Sequence, residues 1–228
     1  MFDRLEKIIG NCNLDKIKKT TAMIVGIGGV GGYVVEALVR SGVENIILID
    51  HDIVDITNKN RQIIALNSTI GMKKVNAMKN RILDINENVK VVALDVFLDD
   101  TNTEEIINKY HPDYVVDACD TILAKKEIIL SCLKYNINFI SSMGTGNKLD
   151  PTRLMISDIR KTSYDPLAKI LRKWIKDEKI VGKIPVLWSD EEKIETNDRT
   201  PGSTSFVPSS AGLIIASYII NEIIKTSN

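Results

Sequence analysis

The sequence predicts an α/β fold built on a doubly wound, mostly parallel sheet with a C-terminal extension. Two observations predict this fold class. In the first 142 residues, short runs rich in β-branched residues alternate with longer segments whose apolar residues recur every three or four positions. A glycine-rich turn directly follows the first run. At 228 residues, 44% of them hydrophobic, the chain can bury a core without disulfides or structural metal.

The predicted elements alternate along the chain. The first strand, 22–26, is an apolar run that ends in glycine, and the helical spacing of 30–41 begins beyond the glycines. A second apolar run, 45–50, is followed by helical spacing at 72–85. The same alternation predicts strand 90–96, helix 103–109, strand 113–118, helix 121–135 and strand 137–142.

A second region begins after Ser142, where Gly144, Gly146 and Pro151 interrupt the pattern. Turn-forming residues at this density favour a boundary. We therefore divide the chain into a nucleotide-binding domain, 1–142, and an extension, 143–228, which we expect to bind substrate and to pack on the first domain.

Three segments of the extension have recognisable patterns. Residues 166–176 have the spacing of an amphipathic helix, and the polar stretch 190–205 is typical of an exposed loop. The apolar stretch 206–224 is interrupted by polar residues. We therefore expect a buried or docking helix there and no stable membrane insertion.

Charge and cysteine content exclude several protein classes. Thirty basic residues balance thirty acidic ones, so the chain is not a globally basic nucleic-acid coat protein. Cys12, Cys119 and Cys132 form no C-x-x-C pair, so we expect no zinc site and reduced thiols. The N-terminus lacks the order of charges and apolar residues that a secretory signal has. Both features favour a cytoplasmic location.

A nucleotide-binding motif joins the first predicted strand to the first predicted helix. Residues 26–31 read Gly-Ile-Gly-Gly-Val-Gly, in the strand–turn–helix setting that G-x-G-x-x-G requires. Glycines let the backbone approach a phosphate, and the helix N-terminus offers it free N–H groups. Asp50 ends the next strand, nineteen residues after Gly31, where a carboxylate accepts hydrogen bonds from ribose. The predicted binding residues of this Rossmann-like site are Gly26, Gly28, Gly29, Gly31 and Asp50.

Charged residues beyond Asp50 indicate ATP rather than a nicotinamide cofactor. A dehydrogenase has no use for an arginine, a lysine and a further aspartate that converge on phosphates. Nucleotidyl transfer, in contrast, requires positive charge on the triphosphate and a carboxylate for magnesium. The residues concerned are Asp52, Asn58, Arg61, Lys74 and Asp120, within the motifs D-x-D, N-x-N-R-Q, G-x-x-K and D-x-x-D.

In this order and spacing, the motifs resemble those of the ubiquitin-activating-enzyme-like adenylyltransferase superfamily, which includes the activators of the molybdopterin and thiamine sulfur carriers. The resemblance implies that Asp50 binds the ribose of ATP. It implies that Asn58, Arg61 and Lys74 hold the phosphates. It also implies that Asp120 binds Mg²⁺ and positions the acyl phosphate.

The same resemblance implies a homodimer. Arg4 falls where members of the superfamily have an arginine that reaches into the site of the partner subunit. An arginine supplied in this way would stabilise the charge that develops at the α-phosphate. The predicted catalytic residues are therefore Arg61, Lys74, Asp120 and Arg4.

The extension resembles one branch of that superfamily, the tRNA threonylcarbamoyladenosine dehydratases. The likeness rests on residues 142–153, 158–162 and 165–169, which include D-P-T-R and D-P-L-A, and it continues through 206–213. It implies that ATP adenylates the free threonyl carboxylate of a modified nucleoside next to the anticodon of tRNA. The nucleoside's own carbamoyl group would then close a ring and release AMP. Because the attacking group belongs to the substrate, we expect Cys119 and Cys132 to be core residues rather than nucleophiles.

A local basic excess supports a tRNA partner. Residues 151–183 contain nine Lys or Arg against four acids, and such a surface neutralises nucleic-acid phosphates. The excess is modest, so an ordinary solvated helix face remains an alternative. The resemblance leaves open whether a sulfurtransferase-system protein also associates.

Two other functions remain open. The first is activation of the C-terminal carboxylate of a ubiquitin-like sulfur carrier, which the missing zinc cysteines disfavour. The second is a non-catalytic, nucleotide-binding scaffold. The presence of Arg61, Lys74 and Asp120 disfavours the scaffold, because binding alone does not require this set of charges.

Overall fold

The computed structural model describes residues 1–197 and 200–225, whose strands form one seven-stranded sheet with helices on both faces. The strands are β1 Thr21–Val25, β2 Asn45–Ile49, β3 Lys90–Leu94, β4 Tyr114–Asp117, β5 Asn138–Ser142, β6 Leu154–Asp158 and β7 Pro185–Ser189. The α-helices are α1 Asp3–Ile9, α2 Asn11–Lys19, α3 Gly31–Arg40, α4 Lys74–Ile85, α5 Thr103–Tyr110, α6 Ile122–Tyr135, α7 Pro166–Asp177 and α8 Phe206–Lys225.

The strand order creates a binding crevice. The strands lie in the order β3-β2-β1-β4-β5-β7-β6, and each neighbouring pair is parallel except β6 with β7. The chain changes its direction across the sheet at β1, which pairs with β2 on one side and with β4 on the other. In open sheets of this kind, ligands bind beyond the carboxyl ends of the strands at the switch point.

Alternate side chains of the central strand enter two separate cores. In β1, Ala22 and Ile24 belong to the core that α3, α4 and α8 cover, and Met23 and Val25 belong to the core that α5, α6 and α7 cover. All four side chains are buried. Because both faces of the strand are covered, all four positions from Ala22 to Val25 are apolar, which explains why this segment is a continuous apolar run in the sequence.

The predicted fold class is confirmed. The five predicted strands correspond to β1 through β5, and the four predicted crossover helices correspond to α3 through α6, with bounds that agree within two residues. The helix predicted at 166–176 is α7. Residues 190–205 contain no helix or strand in their described part, and positions 198 and 199 of that stretch lie outside the described residues.

The sequence pattern does not predict α1, α2, β6 or β7. The last two lie beyond the proposed boundary, yet β7 pairs directly with β5, with Ser142 opposite Leu187. The extension therefore continues the sheet of the first region. Its strands are hard to recognise because β7 begins with a proline and β6 ends in Ser157 and Asp158 beside a 3-10 turn.

Helix α8 lies against α3. By length and composition it is long and apolar enough to cross a membrane. Its residues Ala211, Ile215 and Ile219 are nevertheless fully buried, in the same core as Val34 and Leu38 of α3. Packing of this kind is typical of a core helix, which agrees with the expectation of a buried helix over 206–224.

Glu36 joins α3 to α4 through two arginines. Its carboxylate accepts a hydrogen bond of 2.7 Å from Nε of Arg40 and another of 2.7 Å from Nε of Arg81, and the side chain is largely buried. Burial alone raises the pKa of Glu36. The two guanidinium groups outweigh burial and hold this pKa below its ordinary value of 4.5.

We expect Glu36→Gln to lower the free energy of unfolding at neutral pH by about 1–2 kcal/mol, because two charge-assisted hydrogen bonds are weakened. Because the pKa of Glu36 is lower in the folded chain than in the unfolded chain, the unfolded chain binds the proton more tightly. The contribution of the Glu36 carboxylate to the free energy of unfolding is therefore complete above the ordinary pKa of 4.5 and is lost as the pH falls through the lower pKa of the folded chain. Urea unfolding at neutral and acidic pH measures this difference. If the free energies of unfolding of variant and wild type differed by the same amount at neutral and acidic pH, the prediction would be contradicted.

Candidate nucleotide-binding site

A cleft of about 340 Å³ opens at the carboxyl ends of β1, β2 and β4, where the strand order predicts a crevice. Its walls come from the turns that follow the first four strands and from the loop between β2 and α4. The predicted binding residues that line it are Gly26, Gly28, Gly29, Asp50, Asp52, Asn58, Arg61, Lys74 and Asp120. Gly31 and Arg4 are not part of its lining.

Gly26 and Gly31 determine the shape of the turn between β1 and α3. Gly26 has a φ of 86°, and a Cβ at this position would lie 2.7 Å from the carbonyl oxygen of Ala118. A Cβ on Gly31 would lie 1.9 Å from the carbonyl oxygen of Gly26. Both distances are too short for any side chain, so the turn requires glycine at both positions. The turn leads into the N-terminus of α3, whose free N–H groups suit a phosphate.

Asp50 is buried directly after β2 and holds two backbone segments together. Its Oδ2 accepts a hydrogen bond from the N–H of Ile27 at 2.6 Å, and its Oδ1 accepts one from the N–H of Asp52 at 2.8 Å. Each carboxylate oxygen has a further lone pair. This geometry supports the predicted role of Asp50 as the ribose ligand.

Lys74 supplies a buried positive charge in the cleft wall. Its Nζ lies 2.7 Å from Oδ2 of Asp52. Burial raises the pKa of Asp52, but the hydrogen bond and charge of Lys74 outweigh it, with smaller contributions from His51 and Lys73, and hold the pKa below its ordinary range. Asp52 is therefore ionised at neutral pH and holds the Lys74 ammonium in the cleft wall, where its charge could meet a bound anion.

Arg61 and Asn58 lie on the loop between β2 and α4, which is ordered by its own side chains. Oδ1 of Asn58 accepts a hydrogen bond from the N–H of Asp55 at 3.1 Å, while the Asp55 carboxylate accepts one from the N–H of Thr57 at 2.8 Å. Nη1 of Arg61 donates to the carbonyl oxygen of Thr57 at 3.2 Å. Among the described residues no carboxylate pairs with Arg61, so its charge is available to an anion.

The sequence patterns assign no role to Gln62, which also lines the cleft. This residue is buried, and its Oε1 has no hydrogen-bond partner in the part of the chain that the structure describes. An unsatisfied buried oxygen destabilises a fold by about 1–3 kcal/mol. A bound ligand with a donor group would remove this penalty. The only sequence signal for Gln62 is its place after Asn58 and Arg61 in N-x-N-R-Q.

A buried ion pair, also absent from the sequence prediction, lies beneath the cleft. Nζ of Lys125 on α6 contacts both carboxylate oxygens of Asp117 at 3.0 Å, and it donates to the carbonyl oxygen of Ser142 at 2.8 Å. Both charged side chains are fully buried. Asp117 also accepts a hydrogen bond from Oγ of Ser141 and a longer one, 3.3 Å, from the N–H of Cys119. The pair therefore connects the ends of β4 and β5 to the start of α6.

Asp120 lies just beyond this ion pair, where two cavities meet. Its side chain is exposed and forms no hydrogen bond or ion pair with any described residue. A second cavity, of about 830 Å³, shares Asp120, Arg61, Thr145 and Ser203 with the nucleotide cleft. A carboxylate bound in the second cavity would therefore be close to the phosphates of a nucleotide bound in the first.

The walls of the second cavity come mainly from the extension. Asp165 joins two of them: its Oδ2 accepts a hydrogen bond from the N–H of Gly144 at 3.0 Å, and its Oδ1 accepts one from the N–H of Ala168 at 2.8 Å. Nζ of Lys148 donates to the carbonyl oxygens of Ser189 and Glu191 at 3.1 and 2.9 Å. Burial lowers the pKa of Lys148.

The two inner cysteines differ in position. Cys132 is fully buried in the core, as expected. Cys119 packs against the same core, as expected, but it is only partly buried and also lines both cavities. Burial, and then the neighbouring charge of Asp117, raise the pKa of the Cys119 thiol well above its ordinary value. This thiol is therefore protonated at neutral pH and is a poor nucleophile.

We expect Cys119→Ser to form AMP at close to the wild-type rate, because a protonated thiol contributes no nucleophile to acyl transfer. The measurement is ATP turnover of the variant beside wild type, with denaturing gels run without reductant to detect an enzyme-bound thioester. Loss of turnover together with loss of a thioester band would contradict the prediction.

Arg4 is exposed on α1 and does not contact the cleft of its own chain. This position leaves the predicted role in a partner's site as a proposal.

Among the described residues, Asp50, His51 and Asp52 place potential metal-ligand atoms within 4.8 Å of one another. Asp50 and Asp52 already accept hydrogen bonds from the backbone and from Lys74, whereas Asp120 has both carboxylate oxygens free of described partners.

Comparisons with known proteins agree with this geometry. Residues 2–227 match the model of the ThiF family. The chain is 44% identical over 241 aligned residues to a tRNA threonylcarbamoyladenosine dehydratase of Bacillus subtilis, an alignment that covers 98% of this chain and 94% of the relative.

Solved structures of an Escherichia coli tRNA N6-threonylcarbamoyladenosine dehydratase have the same fold. The complex with ATP superposes with a TM-score of 0.94 at 32% identity, covering 99% of this chain and 94% of the other. The complex with AMP superposes with a TM-score of 0.92 at 32% identity, covering 97% of this chain and 93% of the other. The chain therefore belongs to the ThiF family and, within it, to the tRNA threonylcarbamoyladenosine dehydratase family.

Proposed function

We propose that this protein catalyses the ATP-dependent dehydration of threonylcarbamoyladenosine next to the anticodon of tRNA. The observation that carries the proposal is the junction of two cavities at Asp120 and Arg61, one suited to a nucleotide and the other large enough for a second nucleoside with its side chain. The B. subtilis and E. coli relatives are named for this reaction. ATP and AMP, bound in the E. coli structures, are a substrate and a product of the proposed reaction.

The reaction has two steps. In the first, an oxygen of the threonyl carboxylate attacks the α-phosphorus of ATP, and the bond to the β-phosphate oxygen breaks to release pyrophosphate. In the second, the carbamoyl group attacks the activated carbonyl, loses a proton, and displaces AMP as the ring closes. The net change in the nucleoside is the loss of one water.

This chain contributes position and charge rather than a nucleophile. Asp50 would orient the ribose, while Asn58, Arg61 and Lys74 would hold the phosphates and neutralise the charge that builds up at the α-phosphorus. The free carboxylate of Asp120 fits Mg²⁺, which prefers oxygen ligands. When bound, Mg²⁺ would neutralise part of the phosphate charge.

The basic face of α7 supports tRNA as the substrate. Lys169, Lys173 and Lys176 are exposed there, and none of them pairs with an acid among the described residues. Two arginines of the same basic stretch are already neutralised, Arg153 by Asp190 at 2.7 Å and Arg160 by Asp158 at 3.1 Å. The lysines of α7 are therefore the better candidates for contact with phosphates.

The assembly and location are further parts of the proposal. We propose a homodimer in which Arg4 completes the partner subunit's site, and a cytoplasmic location, where tRNA and ATP are available. A sulfurtransferase-system partner remains a prediction from the family resemblance.

If Arg4 acts in the partner's site, each active site combines Lys74 of one subunit with Arg4 of the other. Arg4→Ala and Lys74→Ala then remove different residues from this composite site. Mixed dimers of the two variants would then contain one intact site. We expect AMP formation to recover on mixing to about a quarter of the wild-type rate, since random exchange yields half mixed dimers with one working site each. Activity of the mixture no higher than that of either variant alone would contradict the role of Arg4 in trans.

The proposed function is tested by single-turnover nucleoside mass spectrometry on threonylcarbamoyl-modified tRNA with ATP and magnesium. We expect the modified nucleoside to lose one water while AMP forms in equal amount. If its mass does not change, the dehydratase proposal fails. AMP formation with a ubiquitin-like carrier instead would then identify a protein carboxylate as the acid that is adenylated.

A further inference from the structure

Tyr164 has a backbone conformation that its local structure does not explain. Its φ is 52°, in the left-handed region that favours glycine. Four other described non-glycine residues have a positive φ. Three of them lie at or just beyond helix C-termini, where this conformation is common: His111, Asn136 and Lys179. The fourth is Asn147, a residue type whose short polar side chain can stabilise this conformation by a local hydrogen bond. Tyr164 instead precedes a helix and is aromatic.

The Asp165 side chain anchors the chain directly after Tyr164. It is buried and accepts hydrogen bonds from Gly144 and Ala168, which joins the start of α7 to a wall of the second cavity. The residue before it is thereby held at the rim of that cavity. Strain of this kind persists where the surrounding structure enforces it, and it is concentrated at binding sites.

The side chain of Tyr164 is free to bind. It is 61% exposed, it lines the second cavity, and it forms no hydrogen bond, ion pair or ring contact with any residue that the structure describes. It does not line the nucleotide cleft. A stacking role toward the adenine of ATP is therefore excluded, and the ring is available to a ligand that enters the second cavity.

Exposed lysines close to Tyr164 in the chain suit an RNA ligand. Lys148 and Lys193 line the second cavity together with the acids Asp120, Asp165 and Glu195. Lys161 and Lys169 do not line it, but both are exposed and lie within five residues of Tyr164 in the chain. Proteins bind unpaired bases with exposed aromatic rings, on which the base stacks, and with nearby lysines, whose ammonium groups neutralise the backbone.

We propose that Tyr164 is a stacking platform for an unpaired nucleobase of the RNA whose modified nucleoside enters the second cavity. The proposal rests on the proposed function for the identity of the RNA. It assigns Tyr164 to RNA recognition alone, with no part in ATP binding or in the chemical steps.

The backbone geometry provides a sharp test. Tyr164→Gly removes the ring and relieves the positive φ, so it is not expected to destabilise the fold. Tyr164→Phe retains the stacking surface. His111→Gly is the matched control, because it relieves the same conformation at an exposed helix end whose residue does not line either cavity.

The probe is an anticodon stem-loop RNA that carries threonylcarbamoyladenosine, with binding measured by fluorescence anisotropy. We expect Tyr164→Gly to raise the Kd for the RNA about tenfold, which corresponds to the loss of one stacked base. The Kd values of Tyr164→Phe and His111→Gly should stay within about twofold of the wild-type value. The KM for ATP should be unchanged in all three variants. An unchanged Kd in Tyr164→Gly, or a Tyr164→Phe variant as weak as Tyr164→Gly, would overturn the proposal. Because binding is measured without turnover, an inactive wild type would contradict the proposed function alone.

Discussion

Asp120→Ala is expected to reduce the rate of AMP formation by about 10²–10³-fold, the effect typical of losing one preorganised electrostatic group from an active site. Asp120 lies where the two cavities meet, so in the proposed reaction its charge would act on the reacting carboxylate and α-phosphate together. Its side chain is exposed and has no described partner. The substitution should therefore leave the melting temperature close to that of wild type, and the loss is measured as single-turnover AMP formation.

Two further variants show whether the charge of Asp120 is responsible. Asp120→Asn retains the shape of the side chain without its charge, and we expect it to be nearly as slow as Asp120→Ala. Asp84→Ala removes another exposed carboxylate, on α4 and outside the lining of both cavities, and should form AMP at the wild-type rate. Activity of Asp120→Ala within a few-fold of the Asp84→Ala control would remove Asp120 from the mechanism.

Lys125→Met is expected to lower the free energy of unfolding by about 3–5 kcal/mol, because it leaves the Asp117 carboxylate buried without a counter-charge. Both side chains are fully buried, and Lys125 also donates to Ser141 and to the carbonyl oxygen of Ser142. The loop that carries Asp120 should loosen as well, since Asp117 accepts a hydrogen bond from the N–H of Cys119. Chemical denaturation measures the first effect, and the KM for ATP measures the second.

The double variant Asp117→Asn with Lys125→Met separates charge from packing. The introduced asparagine would keep an oxygen for Ser141 and Cys119 but would need no counter-ion, so we expect the double variant to be more stable than Lys125→Met alone. A double variant that loses as much stability as the two single variants added together would show that the two residues act independently. That result would contradict the coupling of the pair.

Much of the nucleotide site follows from sequence because its signals are local. The glycines of 26–31 and the acid at Asp50 stand at fixed offsets from strands whose apolar runs are unambiguous. Arg61 and Lys74 belong to the segment between β2 and the body of α4, and Asp120 lies just after β4; parallel strands bring the ends of β2 and β4 to one edge of the sheet. Their convergence on one cleft was therefore predictable.

The Asp117–Lys125 pair and the unsatisfied Gln62 were not predictable in this way. In the sequence, Lys125 stands next to Lys126 in an amphipathic helix and has the appearance of a surface charge. Only packing against β4 and β5 removes it from water. The strands of the extension were also missed, because β7 is a strand only through its pairing with β5 and β6.

By itself, the sequence determined the fold class, the alternation of strands and helices, and the set of charges that indicates ATP, because periodicity and motif spacing are local properties of the chain. The tertiary structure alone decided that the extension completes the sheet, that a second cavity meets the nucleotide cleft at Asp120, and that Tyr164 is held at its rim. These features depend on contacts between residues distant in sequence, such as Asp165 with Gly144 and Ser142 opposite Leu187. Burial and strain arise only when those contacts form, so no local pattern reports them.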